Sequence, residues 1–156
     1  MGSFLDLSKN YSFYAIPAAV LLALAPSTYG KYLGHDSYDL ANPRAFQDQI
    51  KNNEKMDKKI KNRVLRCEAA AANGQESLPV FIGAVIASNV AGVPVRTINL
   101  LASSYLVSRV FYNIIYVRLQ DNRKFAPVRT IVWNAGMACW VTLLVKAANR
   151  MLKASL

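Results

Sequence analysis

Long apolar stretches alternate along the chain with polar, strongly basic connections. The segment "YSFYAIPAAVLLALAPSTYG", residues 11–30, carries no charge. A bilayer's hydrocarbon core is about 30 Å thick, so a spanning helix needs roughly 20 mostly apolar residues at 1.5 Å each. Four stretches reach that length: about 11–32, 69–93, 96–117 and 128–148. The pattern predicts an all-α integral membrane protein, a four-helix bundle forming one domain over residues 1–156. Tyr11, Tyr14, Tyr29 and Tyr32 bracket the first span, at the depth where amphipathic rings settle. Pro17 and Pro26 inside it are tolerable, because neighbouring helices re-satisfy the freed carbonyls. Lys9 is the only basic residue ahead of this stretch, which is also longer than a signal peptide's apolar core. It reads as a retained anchor.

The short connection "AGVPVR" makes the second and third spans antiparallel neighbours. A loop rich in turn formers, "GHDSYDLANPR", follows the first span. The polar stretch "AFQDQIKNNEKMDKKIKNRVLR" then reads as a helix-competent lead into the second. "RLQDNRKFAP" separates the third span from the fourth.

Composition sharpens this picture through where the charges lie. Charged residues make up only 18% of the chain against 53% hydrophobic, with a net charge of +10. The basic residues concentrate in the segment of about 34–66 and in the third connection. The positive-inside bias places both in the cytosol and both termini on the other side. A nucleic-acid binder carries its positive charge on a solvated face. Here the charge sits between apolar spans, so the expected partner is a lipid bilayer and not nucleic acid. Cys67 and Cys139 have neither metal nor disulfide spacing and read as small apolar packing groups. His35, alone beside Asp36, builds no metal site, and none is expected.

Polar residues inside spans are costly and mark function or a buried pair. On the second span Arg66, Asn73 and Glu76 fall at i, i+7 and i+10, one helix face. Pro79 removes a backbone N–H and frees the carbonyl of Gln75. On the third, Arg109, Tyr112 and Tyr116 share a face, and Arg129 opens the fourth just after "FAPV". Counting from the antiparallel turn puts Glu76 and Arg109 at similar depth, towards the cytosolic end. A structural Glu76–Arg109 pair accounts for two of these residues. A ligand with both an ammonium and carboxylates accounts for all of them.

At these positions the sequence resembles the MAPEG family, membrane-associated proteins in eicosanoid and glutathione metabolism, and within it the microsomal glutathione transferases. "RCEAAAANGQESLP" matches the second-helix pattern at Arg66, Asn73, Glu76 and Pro79. "RVFYNIIY" matches the third-helix pattern from Arg109 to Tyr116, and "KFAPVRT" resembles the entry to the fourth helix. The likeness covers residues 63–148.

The resemblance implies a homotrimer that binds glutathione between subunits, in a pocket open to the cytosol and the bilayer. It implies a transferase or peroxidase acting on a lipophilic electrophile or hydroperoxide, in the endoplasmic reticulum or another intracellular membrane. In that reading Arg129 activates the thiol, with Thr130 or a tyrosine hydroxyl as a second donor. Glu76 takes the glutathione ammonium, Asn73 the polar groups beside it, Arg66 and Arg109 the carboxylates, and Tyr112 and Tyr116 wall the site. One departure stands out: the family's second arginine on this helix is Ala69 here, with Arg63 or Arg44 as substitutes. That departure keeps open a glutathione-independent isomerase or cyclase in the same pocket. A non-catalytic lipid-binding scaffold, with little need of Arg129, ranks third. Selectivity for the electrophile is expected in apolar residues such as Val110, Ile114, Trp133 and Met137.

Overall fold

The computed structural model describes residues 8–155. A 3-10 turn, Ser12–Tyr14, leads into α1, Ala15–Leu33. A short helix α2, Phe46–Asn52, precedes the long α3, Lys58–Val90. Helix α4, Val95–Ile114, runs on through a π-helical turn, Ile115–Leu119, and α5 covers Ala126–Ala154. No strand occurs among the described residues.

Three helical stretches are long and apolar enough to cross a membrane: Ser12–Leu33, Val95–Leu119 and Arg123–Ala154. The fourth expected span, residues 69–93, falls on the second part of α3 and the turn after it, and is not among them. At 33 residues α3 is long enough. Asn73, Gln75, Glu76 and Ser77 dilute its apolar character over the turns where the span was expected to begin.

The polar lead of the expected second span is two helices, not one. Asn53 breaks it, its side-chain oxygen accepting from the backbone N–H groups of Lys55 and Met56. Asp57 then caps α3, accepting from the N–H groups of Lys59 at 2.9 Å and Ile60 at 3.1 Å. Side-chain oxygens that bond nearby N–H groups compete with helix continuation and favour a restart. The break lets α2 fold back. Phe46 and Ile50, one turn apart, are buried with Val64 of α3, and Leu33, Tyr38 and Met56 pack around them. Gly34 makes room for this: a Cβ there would stand 2.8 Å from Ile50 Cδ1 and 3.0 Å from Phe46 Cζ.

Small residues bring the long helices together. Ala15, Ala19 and Ala23 form the buried stripe of α1. A Cβ on Gly74 of α3 would lie 3.0 Å from the Cα of Ala23, so the two backbones touch. Close approach through small residues is how helices associate where lipid removes the hydrophobic drive. Away from the polar end, Phe81 stacks on Tyr105 with centroids 4.0 Å apart, in a cluster with Val85, Ile98 and Leu143. The α3–α4 turn depends on Gly92, whose φ of +67° is the only positive φ among the described residues. Pro94 ends that turn and starts α4.

Candidate functional site

Where α3, α4 and α5 meet, at the end of the bundle that carries α2 and the α4–α5 connection, they enclose a cavity of about 260 Å³. Ala69 and Asn73 line it from α3, Tyr112 and Tyr116 from α4 and its π-helical turn, and Arg129, Thr130 and Trp133 from α5. Asn73 and Ala69 are four residues apart, as are Tyr112 and Tyr116, and Arg129 and Trp133. Each helix therefore offers two successive turns of one face. Five of the eight expected site residues converge here: Asn73, Tyr112, Tyr116, Arg129 and Thr130.

The guanidinium carbon of Arg129 lies 4.6 Å from the centroid of the Tyr116 ring, a cation–π contact. The rings of Tyr116 and Tyr112 are themselves 5.6 Å apart and tilted by 50°. Thr130 donates to the carbonyl of Ala126 within its own helix, at 3.3 Å. Asn73 Oδ1 is buried and has no hydrogen-bond partner among the described residues. A buried polar atom without a partner is expensive.

Three expected residues stand outside the cavity lining. Arg109 is buried behind it, only 5% exposed, with its guanidinium 4.8 Å from the Tyr112 ring and 5.4 Å from Tyr105. Gly136 of α5 seals the far side; a Cβ there would stand 2.8 Å from Arg109 Nη2. No ion pair joins Arg109 to Glu76 among the described residues, and Glu76 is exposed. The strut reading of that pair does not hold within the single chain. Arg66 is taken by a residue that sequence reasoning passed over. It donates to Asp121, in the α4–α5 connection, at 2.8 Å, while Arg63 lies 3.8 Å from the same carboxylate. The Nε atoms of both arginines are buried and unbonded. Asp121 is the one acid in the basic run "RLQDNRKF", and that isolation was the available signal. Arg44, the other substitute considered for the missing arginine, is exposed and lines no part of the cavity.

The thiols match their expected packing role. Cys67 is fully buried, packed with Ala70 and Tyr112, and Cys139 packs at the edge of the main core. His35 sits exposed against Asp36 at 3.0 Å, and no metal-binding cluster occurs among the described residues.

The sequence model of the MAPEG family matches residues 12–149, which include every residue that lines this cavity. The chain belongs to the MAPEG family. No curated protein and no solved structure matches it. Family membership and the three membrane-capable helices together make it an integral membrane protein. The MAPEG family includes glutathione transferases and related enzymes, and its members commonly use glutathione. The cavity brings together a guanidinium, a threonine hydroxyl, two tyrosine rings and an asparagine side chain.

Proposed function

We propose that this MAPEG protein is a membrane-bound glutathione transferase or peroxidase acting on a lipophilic electrophile or hydroperoxide. The observation that carries the reading is Arg129, held over Tyr116 in a recess that Asn73 and Thr130 also line. Bound glutathione supplies a nucleophilic sulfur. A free thiol with a pKa near 8.5 is only a few per cent ionised at neutral pH. Lowering it by two units takes about 2.7 kcal/mol of preferential thiolate stabilisation. Arg129 supplies that from a partly dry site, and the Thr130 hydroxyl donates a second hydrogen bond when it turns from the Ala126 carbonyl to the thiolate. Asn73 accepts from the peptide, Tyr112 and Tyr116 wall it, and Arg109 adds positive charge from behind Tyr112. Arg66 takes a carboxylate.

Glu76 holds the ammonium, and its exposure supports a site completed between subunits of a homotrimer. A carboxylate on a span is costly against lipid. Facing a neighbouring subunit's pocket, it has water and a cationic partner. In this arrangement α3 is the fourth span, its polar front half shielded from lipid by other subunits. The basic connections put the pocket on the cytosolic side of an intracellular membrane such as the endoplasmic reticulum, with a lipophilic substrate entering from the bilayer.

A second reading rests on Ala69, which lines the cavity where the family pattern has an arginine. With weaker carboxylate binding, the same recess serves a glutathione-independent isomerase or cyclase. Purified protein assayed with glutathione and an aryl halide or a lipid hydroperoxide tests the proposal. Turnover at least tenfold above an Arg129→Ala variant is expected. Equal rates for the two proteins remove the transferase reading, and activity without glutathione selects the second.

A further inference from the structure

At the opposite end of the bundle a larger cavity, about 400 Å³, opens between the start of α1 and the first turns of α4. Small residues line part of it: Ala15, Ala102 and Ser103. Tyr11 and Tyr14 rise on one side, with Leu100 and Leu106 on the other. The hollow exists because small side chains face each other beneath tall walls. Hydrogen bonds fix those walls in place. Asn99, only 7% exposed, accepts from the Tyr11 N–H at 3.0 Å and donates to the Lys9 carbonyl at 2.8 Å. Asn89 donates to Ser12 Oγ at 3.0 Å, which ties the same 3-10 turn to α3. The cavity is therefore preformed.

Two features at its rim favour an anion. Arg96 lines the cavity, is exposed, and makes no ion pair among the described residues. It also stands in the first turn of α4, a 20-residue helix whose N-cap, Pro94, provides no side-chain acceptor. An uncapped helix N-terminus presents free N–H groups and a positive dipole end. The apolar walls alone do not select an occupant, because lipid tails are as apolar as leucine. Selectivity comes from charge at the rim.

We infer that this groove binds one anionic membrane phospholipid, with its phosphate on Arg96 and the α4 N-terminus and one acyl chain laid over Ala15 and Ala102. The tyrosines at 11 and 14 sit at headgroup depth, where their rings flank the glycerol region. This site is separate from the Asn73–Arg129 cavity and stands independently of the chemistry proposed there.

Native mass spectrometry of the full-length protein, reconstituted with equal amounts of phosphatidylglycerol and phosphatidylcholine, tests it. A charge-assisted contact predicts retention of phosphatidylglycerol over phosphatidylcholine by about tenfold or more. Arg96→Gln brings that ratio close to one, while Arg150→Gln, an exposed arginine at the same end, leaves it unchanged. Ser103→Trp fills the groove and removes the retained lipid of both kinds, and the same spectra report whether the assembly is intact. An Arg96→Gln protein that keeps the wild-type preference overturns the proposal. So does a Ser103→Trp protein that breaks into smaller assemblies with its lipid preference intact, because the groove then seats a second copy of the chain.

Discussion

Arg129 lies over the ring of Tyr116, its guanidinium carbon 4.6 Å from the ring centroid. The two come from different elements, α5 and the π-helical turn after α4, so the contact ties the cavity's cation to its opposite wall. The ring face, not the hydroxyl, makes the contact. Tyr116→Phe should therefore keep turnover within a few-fold of wild type. Tyr116→Ala removes a cation–π contact of about 0.5–2 kcal/mol, a loss of roughly 2- to 30-fold. Steady-state rates of the two variants check this. Equal losses in both would move the role to the hydroxyl.

Glu76 is exposed and has no ion pair among the described residues, so it is not a strut within one chain. Glu76→Gln should leave the melting temperature without ligand nearly unchanged. Loss of one charge-assisted hydrogen bond to an ammonium costs about 1.5–3 kcal/mol, or roughly 10- to 150-fold in glutathione affinity. Calorimetric binding and thermal melting, measured on the same preparations, separate the two effects. Early melting with normal binding would make Glu76 structural.

Asp121 occupies the guanidinium of Arg66 at 2.8 Å, as a ligand carboxylate would. The carboxylate is part-exposed, and such pairs contribute only about 0–1 kcal/mol. A ligand can displace it. Asp121→Asn should leave stability almost unaltered and tighten glutathione binding by up to about fivefold, because Arg66 no longer has to be released. Weaker binding would mean that Asp121 holds Arg66 in its working position.

Arg109 is a buried cation with tyrosine rings for neighbours and no carboxylate partner among the described residues. Replacing a buried charge with an apolar chain of similar length is often neutral or stabilising. Arg109→Met should melt no lower than wild type and bind glutathione less tightly. Gly136→Ala, by contrast, drives a Cβ to 2.5 Å from Ser108 Oγ and should cost about 1–3 kcal/mol by overpacking. A stable Gly136→Ala protein, or an Arg109→Met protein that does not fold, would show this packing to be misread.

Much of this architecture was legible because the deciding forces are local. Apolar length marked α1, α4 and α5, and "AGVPVR" marked the turn that Gly92 and Pro94 make. Helical spacing put Tyr112 and Tyr116 on one face of the third span, and the likeness to the family named Asn73, Arg129 and Thr130, which line the same recess. What escaped depends on competition or on distance along the chain. The break at Asn53 and Asp57 is side-chain oxygen outcompeting helix continuation, in a stretch whose composition suits a helix. The direction of Arg66 is set by a carboxylate 55 residues away. Glu76 was counted onto the face of Asn73, yet three residues at 100° leave it about 60° off that line, enough to turn it out of the recess. Counting length also overlooked how far the polar residues of α3 lower its hydropathy.

In the proposed mechanism Arg129 lowers the pKa of a bound thiol. Titrating the ultraviolet absorbance of the thiolate, with glutathione saturating the purified protein, measures this directly. The wild-type midpoint should lie about two units below the free-thiol value near 8.5. The midpoint of Arg129→Ala should return towards 8.5, so that its thiolate forms only at higher pH while glutathione still binds. A wild-type midpoint at the free-thiol value, or an equally low midpoint in Arg129→Ala, would contradict the account.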